Sequence, residues 1–310
     1  MKLISVVTGC YNEEANVQEL YEQVKRVFAD LVDYDFELIL TDNASKDRTV
    51  DILREIAKND KRVKVLVNTR NVGHIRTGYN ALRLARGDAI ITMVSDLQDP
   101  PHMIKDFIQK WEEGYKVVMG VKNDSQEPRF IFVLRRAYYR LLRRISDVEL
   151  VENFTGFGLY ARQVIDIIAS LEDPYPYFRG LIADIGLPSA RVEFVQPQRR
   201  GGKTKNSFYT LFDMALLGMT SYSKLPLRLA TLLGFGSAAL SLLIAAFYFV
   251  YKLIFWNSFE LGLAPLVVGI FFFSSVQLFF LGIVGEYVGS IHTYVRKMPP
   301  VVVKERINFD

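Results

Sequence analysis

The feature that most restricts what this chain can fold into lies near its end. Between residues 229 and 295 only Lys252, Glu260 and Glu286 carry a formal charge, and they bracket two uncharged apolar runs, 229–251 and 261–285. Each run exceeds the roughly 20 residues needed to cross about 30 Å of hydrocarbon as a helix. Buried core helices are the plainer alternative, but these seldom stay uncharged over such a length. The connection around Trp256, Asn257 and Ser258 is short, so the two runs are expected to form a transmembrane hairpin. Lys224 and Arg228 precede it and Arg296 and Lys297 follow it, against Lys252 alone in the loop. Basic flanks mark the cytoplasmic side, which places both ends of the hairpin there.

The rest of the chain has a different character. The first 224 residues carry 62 charged side chains and the last 86 only ten. The net charge of +4 lacks the basic excess of a dedicated nucleic-acid binder. A single cysteine, Cys10, excludes an intramolecular disulfide framework. The apolar stretch after Met1 and Lys2 is too short for a secretory signal, since Tyr11 to Glu14 interrupts it.

The first hundred residues alternate between two periods. Strands are expected over 3–8, 36–41, 63–67 and 88–94, with helices over 13–31 and 45–59 and another through Ala81 and Leu84. Strands alternating with helices imply βαβ units and a parallel sheet, an α/β fold of Rossmann type. The Val/Ile/Leu-rich strands fit burial on both faces. The expected division is a cytoplasmic catalytic domain over 1–205, an amphipathic juxtamembrane helix over 206–224, the hairpin over 225–295 and a cytoplasmic tail over 296–310. Phe208, Leu211, Phe212, Ala215, Leu216 and Met219 share one face of that juxtamembrane helix, which suits the membrane interface.

In a parallel sheet the ligand crevice lies beyond the carboxyl ends of the strands. Three polar clusters fall there: Tyr11-Asn12-Glu13, Thr41-Asp42-Asn43-Ala44-Ser45, and Ser95-Asp96-Leu97-Gln98-Asp99-Pro100-Pro101. Singly, Asp42, Ser45 or Asp99 could be a helix cap. Together they form an acidic pocket whose oxygen donors suit a hard divalent cation that bridges to phosphates.

These clusters, with Asn71-Val72-Gly73, resemble family 2 glycosyltransferases of the GT-A fold, and most of all the polyprenyl-phosphate glycosyltransferases. The similarity continues through Phe178-Arg179-Gly180-Leu181, Arg200-Gly201-Gly202-Lys203-Thr204-Lys205 and Gly285-Glu286-Tyr287-Val288-Gly289. The resemblance implies a nucleotide-sugar site containing Tyr11, Glu13, Asp42, Asn43, Arg76 and Asp96, with Asp42 recognising uracil. Asp96 matches the second acid of the family's Asp-x-Asp motif and Gln98 a neighbouring ligand, so both are expected to hold Mg2+ or Mn2+ and to serve catalysis. The first acid of that motif is replaced by Val94. A second departure is Asn153-Phe154-Thr155-Gly156-Phe157-Gly158, where many relatives carry an acid and an arginine at the places of Gly156 and Gly158.

The implied reaction is inverting transfer of a hexose, glucose from UDP-glucose, to polyprenyl phosphate on the cytoplasmic leaflet of the inner membrane, by a multi-pass enzyme. A lipid phosphate is already anionic near neutral pH, so it needs positioning more than deprotonation. Arg200, Lys203, Lys205 and Arg135 are assigned to the acceptor phosphate. Arg136, Arg140 and Arg143, beside Arg135, share a helical face suited to anionic headgroups or simply to solvent. Oligomerisation is left open. One rival is a processive polysaccharide synthase, since Gln196-Pro197-Gln198-Arg199-Arg200 is similar to a Gln-x-x-Arg-Trp motif, with Arg200 replacing the tryptophan. The other is a non-catalytic sugar-nucleotide-binding membrane scaffold.

Overall fold

The computed structural model describes residues 1–123, 150–171, 173, 175–197, 216–218, 220, 223–255, 263–295 and 301–309. Arg135, Arg200, Lys203 and Lys205, and most of the expected juxtamembrane helix, lie outside the described residues.

Four βα units open the chain. They comprise β1 (Lys2–Cys10), α1 (Val17–Ala29), β2 (Tyr34–Asp42), α2 (Thr49–Asn59), β3 (Val63–Asn68), α3 (His74–Leu84), β4 (Ala89–Thr92) and α4 (Ile104–Glu112), the last entered through a 3-10 turn (Pro101–Met103). β5 (Val117–Lys122), β6 (Phe154–Ala161), α5 (Arg162–Ser170), α6 (Phe178–Ile185) and β7 (Ser189–Phe194) complete the α/β unit. The strands form one mixed sheet in the order β7-β5-β6-β4-β1-β2-β3-β8, in which β8 is Val303–Ile307. β4, β1, β2 and β3 are mutually parallel, whereas β6 runs antiparallel to both β4 and β5. From β1 the chain winds outward to β3 and then returns to place β4 on the other side. The switch point between β1 and β4 opens a crevice at their carboxyl ends.

Consecutive residues of one strand face opposite cores. Val6, Leu38, Leu40 and Val65 pack with α1, α2 and α4, while Val7, Ile39 and Leu66 pack with α3 and α5. Burial on both faces explains why these strands read as continuous apolar runs rather than alternating ones. On α1, Val17, Leu20, Tyr21, Val24 and Phe28 fall at helical spacing and are buried, and Phe28 stacks on Phe36 with ring centroids 4.7 Å apart. Burying each large aliphatic side chain contributes about 1.5–3 kcal/mol.

The helices begin later than periodicity suggests. α1 starts at Val17 rather than at residue 13, and α2 at Thr49 rather than 45. The intervening residues form loops turned by Asn12 (φ 53°) and Ala44 (φ 62°), a backbone region that non-glycine residues seldom adopt. β4 ends at Thr92, two residues short of the expected strand, because the amide of Val94 turns to the Asp99 carboxylate.

Two long helices follow, α7 (Leu225–Ile254) and α8 (Leu263–Val295). Each contains a 27-residue stretch long and apolar enough to cross a membrane, Leu225–Tyr251 and Gly269–Val295. Their surfaces expose Phe235, Leu242, Phe271 and Leu278, among other large apolar side chains. α8 continues well past Glu286, where the second run was expected to stop.

The segment expected to be a tail is part of the sheet. β8 pairs antiparallel with β3, Val65 opposite Ile307 and Val67 opposite Glu305. Arg54 grips Glu305 through Nη2 at 2.7 Å and Nε at 3.2 Å. Asn308 donates to the carbonyls of Ala57 and Val63 at 2.7 and 2.8 Å. The unpaired edge of β3 is thereby covered by the other end of the chain.

Candidate active site

The β1 and β2 loops are tied together by side chains bonding to backbone. The Asn12 amide donates to Ser45 Oγ at 2.8 Å, and Asn12 Oδ1 accepts from the Lys46 amide at 2.7 Å. The Glu13 amide donates to Thr49 Oγ1 at 2.8 Å. The Glu13 carboxylate is itself buried and accepts from Asn16 Nδ2 at 2.6 Å. Asp42 is fully buried, and both its oxygens accept from the Ser45 amide, at 3.0 and 3.3 Å. This is a local turn rather than a helix cap, since α2 starts four residues further on.

Asn43 fastens the next loop to these two. Its Oδ1 accepts from the Val72 amide at 2.9 Å, and its Nδ2 donates to Asn71 Oδ1 at 2.9 Å. Asn71 in turn accepts from the Gly73 amide at 3.0 Å, and Gly73 takes φ 85°, for which glycine is suited. The motif Asn71-Val72-Gly73 is therefore the wall that Asn43 holds against β2. Tyr11 is half-buried beside this network.

After β4 the chain makes a tight loop. Ser95 Oγ donates to the Gly9 carbonyl at 3.0 Å, and the Gln98 amide donates to Asp96 Oδ1 at 3.1 Å. Leu97 is buried with φ 62°, which leaves its neighbours Asp96 and Gln98 half-exposed. Val94, in the place of the missing acid, is 44% exposed. Asp99 turns inward and is only 3% exposed, and this burial pushes its carboxyl up to about 7.

A cavity of about 250 Å3 occupies the crevice between the ends of β1, β4 and β6. Thr8, Gly9, Val94 and Asp99 line one side, and His74, Gly78, Gly156 and Arg179 the other. Desolvation and the nearby charge of Arg179 push the His74 imidazole down. Arg179 lies over the Tyr177 ring at 5.2 Å and reaches the Phe154 carbonyl at 3.4 Å. Sequence reasoning did not assign His74 or Arg179 to the site, and it named Asp99 only as a member of the acidic cluster after β4. The motif Phe178-Arg179-Gly180-Leu181 was the signal for Arg179.

The β6 departures are built into the backbone. Gly156 has φ 103°, and its carbonyl accepts from Tyr160 Oη at 2.7 Å and from Thr92 Oγ1. A Cβ on Gly158 would lie 2.2 Å from the Val118 carbonyl oxygen of the paired strand. An acid or an arginine at these positions requires a different local path.

Of the expected site residues, Glu13, Asp42 and Asn43 form one connected wall, and Asp96 and Gln98 share the β4 loop. Arg76 is set apart. Its guanidinium lies over the Tyr175 ring at 4.8 Å and lines a second cavity, on the side facing α8.

The described residues contain no cluster of three His, Cys, Asp or Glu side chains able to hold a metal. Asp96 and Gln98 supply two oxygen donors. That number suits Mg2+, which is commonly held by one or two protein ligands and completed by substrate phosphates and water.

Residues 5–168 match the family described as Glycosyl transferase family 2. The chain is 34% identical to the uncharacterized glycosyltransferase YkcC of Bacillus subtilis (strain 168), over 97% of this chain and 93% of that one. It is also 34% identical to the SfII prophage-derived bactoprenol glucosyl transferase of Shigella flexneri, over 97% of each. Among solved structures, S. aureus TarS 1-349 in complex with UDP is similar over 72% of this chain and 66% of that one, with TM-score 0.45 and 17% identity. Strand order, crevice and family match agree on the GT-A architecture, and the chain is a glycosyltransferase belonging to glycosyl transferase family 2.

Proposed function

We propose that this enzyme transfers glucose from UDP-glucose to polyprenyl phosphate at the cytoplasmic face of the inner membrane, to which α7 and α8 anchor it as spans. The observation that carries this reading is the extent of the likeness to the Shigella flexneri bactoprenol glucosyl transferase. It covers 97% of both chains and so runs beyond residues 5–168 over both apolar helices. The strand β8 supports the topology. It joins the same sheet as β1, so the chain must leave and regain one side of the membrane, which two spans accomplish.

The nucleoside would rest against Tyr11, Glu13, Asp42 and Asn43, whose loops are already cross-braced. Such bracing limits the ordering that binding costs. The diphosphate would lie towards Asp96 and Gln98. A divalent cation held there, Mg2+ or Mn2+, would supply Lewis-acid stabilisation of the charge on the departing diphosphate. A lipid-phosphate oxygen attacks the anomeric carbon. The bond from that carbon to the nucleoside diphosphate breaks, and UDP leaves with the electron pair. Arg200, Lys203, Lys205 and Arg135 would help to hold the acceptor phosphate by charge-assisted hydrogen bonds.

The test is to incubate purified full-length protein with labelled UDP-glucose, polyprenyl phosphate and Mn2+, alongside GDP- and other UDP-sugars. A glucosylated lipid is expected. UDP binding without any glycolipid product from any donor would overturn the reading.

A further inference from the structure

A second cavity, of about 380 Å3, lies at the seam between the catalytic domain and α8. The seam is held by two tyrosines of α8. Tyr294 Oη donates to Asp173 Oδ2 at 2.6 Å, and Tyr287 Oη donates to the Ser223 carbonyl at 2.6 Å. The catalytic domain contributes Val72, Arg76 and Tyr175 to the lining. Leu216, Leu217 and Thr220 come from the segment before α7. From α8 come Glu286, Gly289, Ser290, Thr293 and Tyr294, so part of the motif Gly285-Glu286-Tyr287-Val288-Gly289 faces this space.

We propose that this seam cavity is the docking site for the phosphate end of the lipid acceptor, with Arg76 as its counter-charge and the hydroxyls of Thr220, Ser290 and Thr293 as further partners. The inference rests on the glucosyl-transfer reading above and extends it by locating where the lipid first engages the protein.

Three properties favour an amphiphilic anion. The cation sits at the catalytic-domain side, stacked on Tyr175, whose ring fixes the guanidinium plane. Leu216, Leu217 and Val72 provide apolar wall beside it. The hydroxyls of Thr220, Ser290 and Thr293 donate back to carbonyls of their own segments, at 3.0, 3.1 and 3.0 Å. That is the resting state of Ser and Thr in a helix, and rotation about χ1 redirects such a hydroxyl to an anion.

Glu286 gives the site a direction. It lies eight residues before Tyr294, which along a helix is about 12 Å deeper into the spans. A carboxylate at that end repels a phosphate, while Arg76 at the other attracts it. The headgroup is thus drawn to the catalytic side.

The seam and the crevice share a wall. His74, Ile75 and Gly78 of α3 face the crevice, whereas Val72 and Arg76 face the seam. Tyr175 faces the seam, and Tyr177 and Arg179 the crevice. A phosphate docked on Arg76 therefore lies one wall away from the crevice at the ends of β1 and β4, where it waits rather than reacts.

The test uses full-length protein in nanodiscs, with Arg76→Gln to remove the charge and Ser290→Leu to fill the cavity from the α8 side. Thr293→Val serves as a milder variant. Retention of labelled polyprenyl phosphate and affinity for UDP are measured separately. The expected result is that lipid retention weakens at least about fivefold in Arg76→Gln and Ser290→Leu, and less in Thr293→Val, while UDP affinity stays within about twofold. Unaltered lipid retention in Ser290→Leu with normal UDP binding overturns the site. So does weakened UDP binding with normal lipid retention in Arg76→Gln, which would return that residue to the donor. Displacement of the labelled lipid by millimolar inorganic phosphate alone would show a free-phosphate pocket and also overturn it. Because retention is read without turnover, a chain that binds the lipid but transfers no sugar fails the earlier reading and not this one.

Discussion

The two ends of the crevice are built differently. At the β1–β2 end, Asn12, Ser45, Thr49, Asp42 and Asn43 bind neighbouring loops through short side-chain bonds. At the β4–β6 end stand Val94, Gly156 and Gly158, and Gly156 takes a backbone path that glycine permits, while Gly158 leaves no room for a Cβ. The first end is cross-braced by its own side chains. The second presents Asp96, Gln98, the buried Asp99 and Arg179. On the proposed reading, the nucleotide is recognised at the braced end and the sugar is handled at the other.

The comparison breaks most visibly at Asp96. If the β4–β6 end depends on this carboxylate, Asp96→Ala should lower kcat by about 10²–10³, as loss of a single charge-stabilising group commonly does. UDP affinity measured in the absence of metal should hardly change. Wild-type turnover would show that the β4 loop carries no catalytic charge.

A smaller effect is expected at Gly158. Adding one carbon there meets a ladder carbonyl, so Gly158→Ala should destabilise the fold by about 1–3 kcal/mol, as overpacking does. Denaturant unfolding of the variant checks this. An unchanged midpoint would mean that the strands can part, and that the glycine reflects chemistry rather than space.

At the braced end, Asn43→Ala should free the Asn71-Val72-Gly73 loop and leave a buried amide of Val72 unpaired, at about 1–3 kcal/mol. The expected readout is UDP affinity about tenfold weaker with kcat nearly unchanged. A fall in kcat alone would make Asn43 part of the chemistry instead of the scaffold.

Much of this molecule was readable from its residues. The two periods of the first hundred residues gave the parallel sheet, and Glu13, Asp42 and Asp96 do stand in the loops that follow β1, β2 and β4. The uncharged runs marked both long helices. Three things were hidden for physical reasons. Asn12, Ala44 and Leu97 adopt positive φ without being glycine, because tertiary bonds hold them there, and so the starts of α1 and α2 could not be placed. Arg76 lines the cavity beside α8, a matter of helix register against a distant element. β8 is five residues of alternating burial, and such a short strand has no identity until its partner is known.

That last strand also dictates an order of events. Val65 and Ile307 are about 240 positions apart, so their pairing has to await synthesis of nearly the whole chain. Between them in sequence lie both long helices, which on the proposed reading are inserted in the membrane before the strand can arrive. Contacts of such separation form late because loop closure is unfavourable until the closing segments are in place. During biosynthesis β3 therefore remains an open edge, exposed to misassociation with other strands. If the two helices span as proposed, only a molecule whose hairpin is correctly inserted covers that edge, and the last strand to dock then certifies the topology.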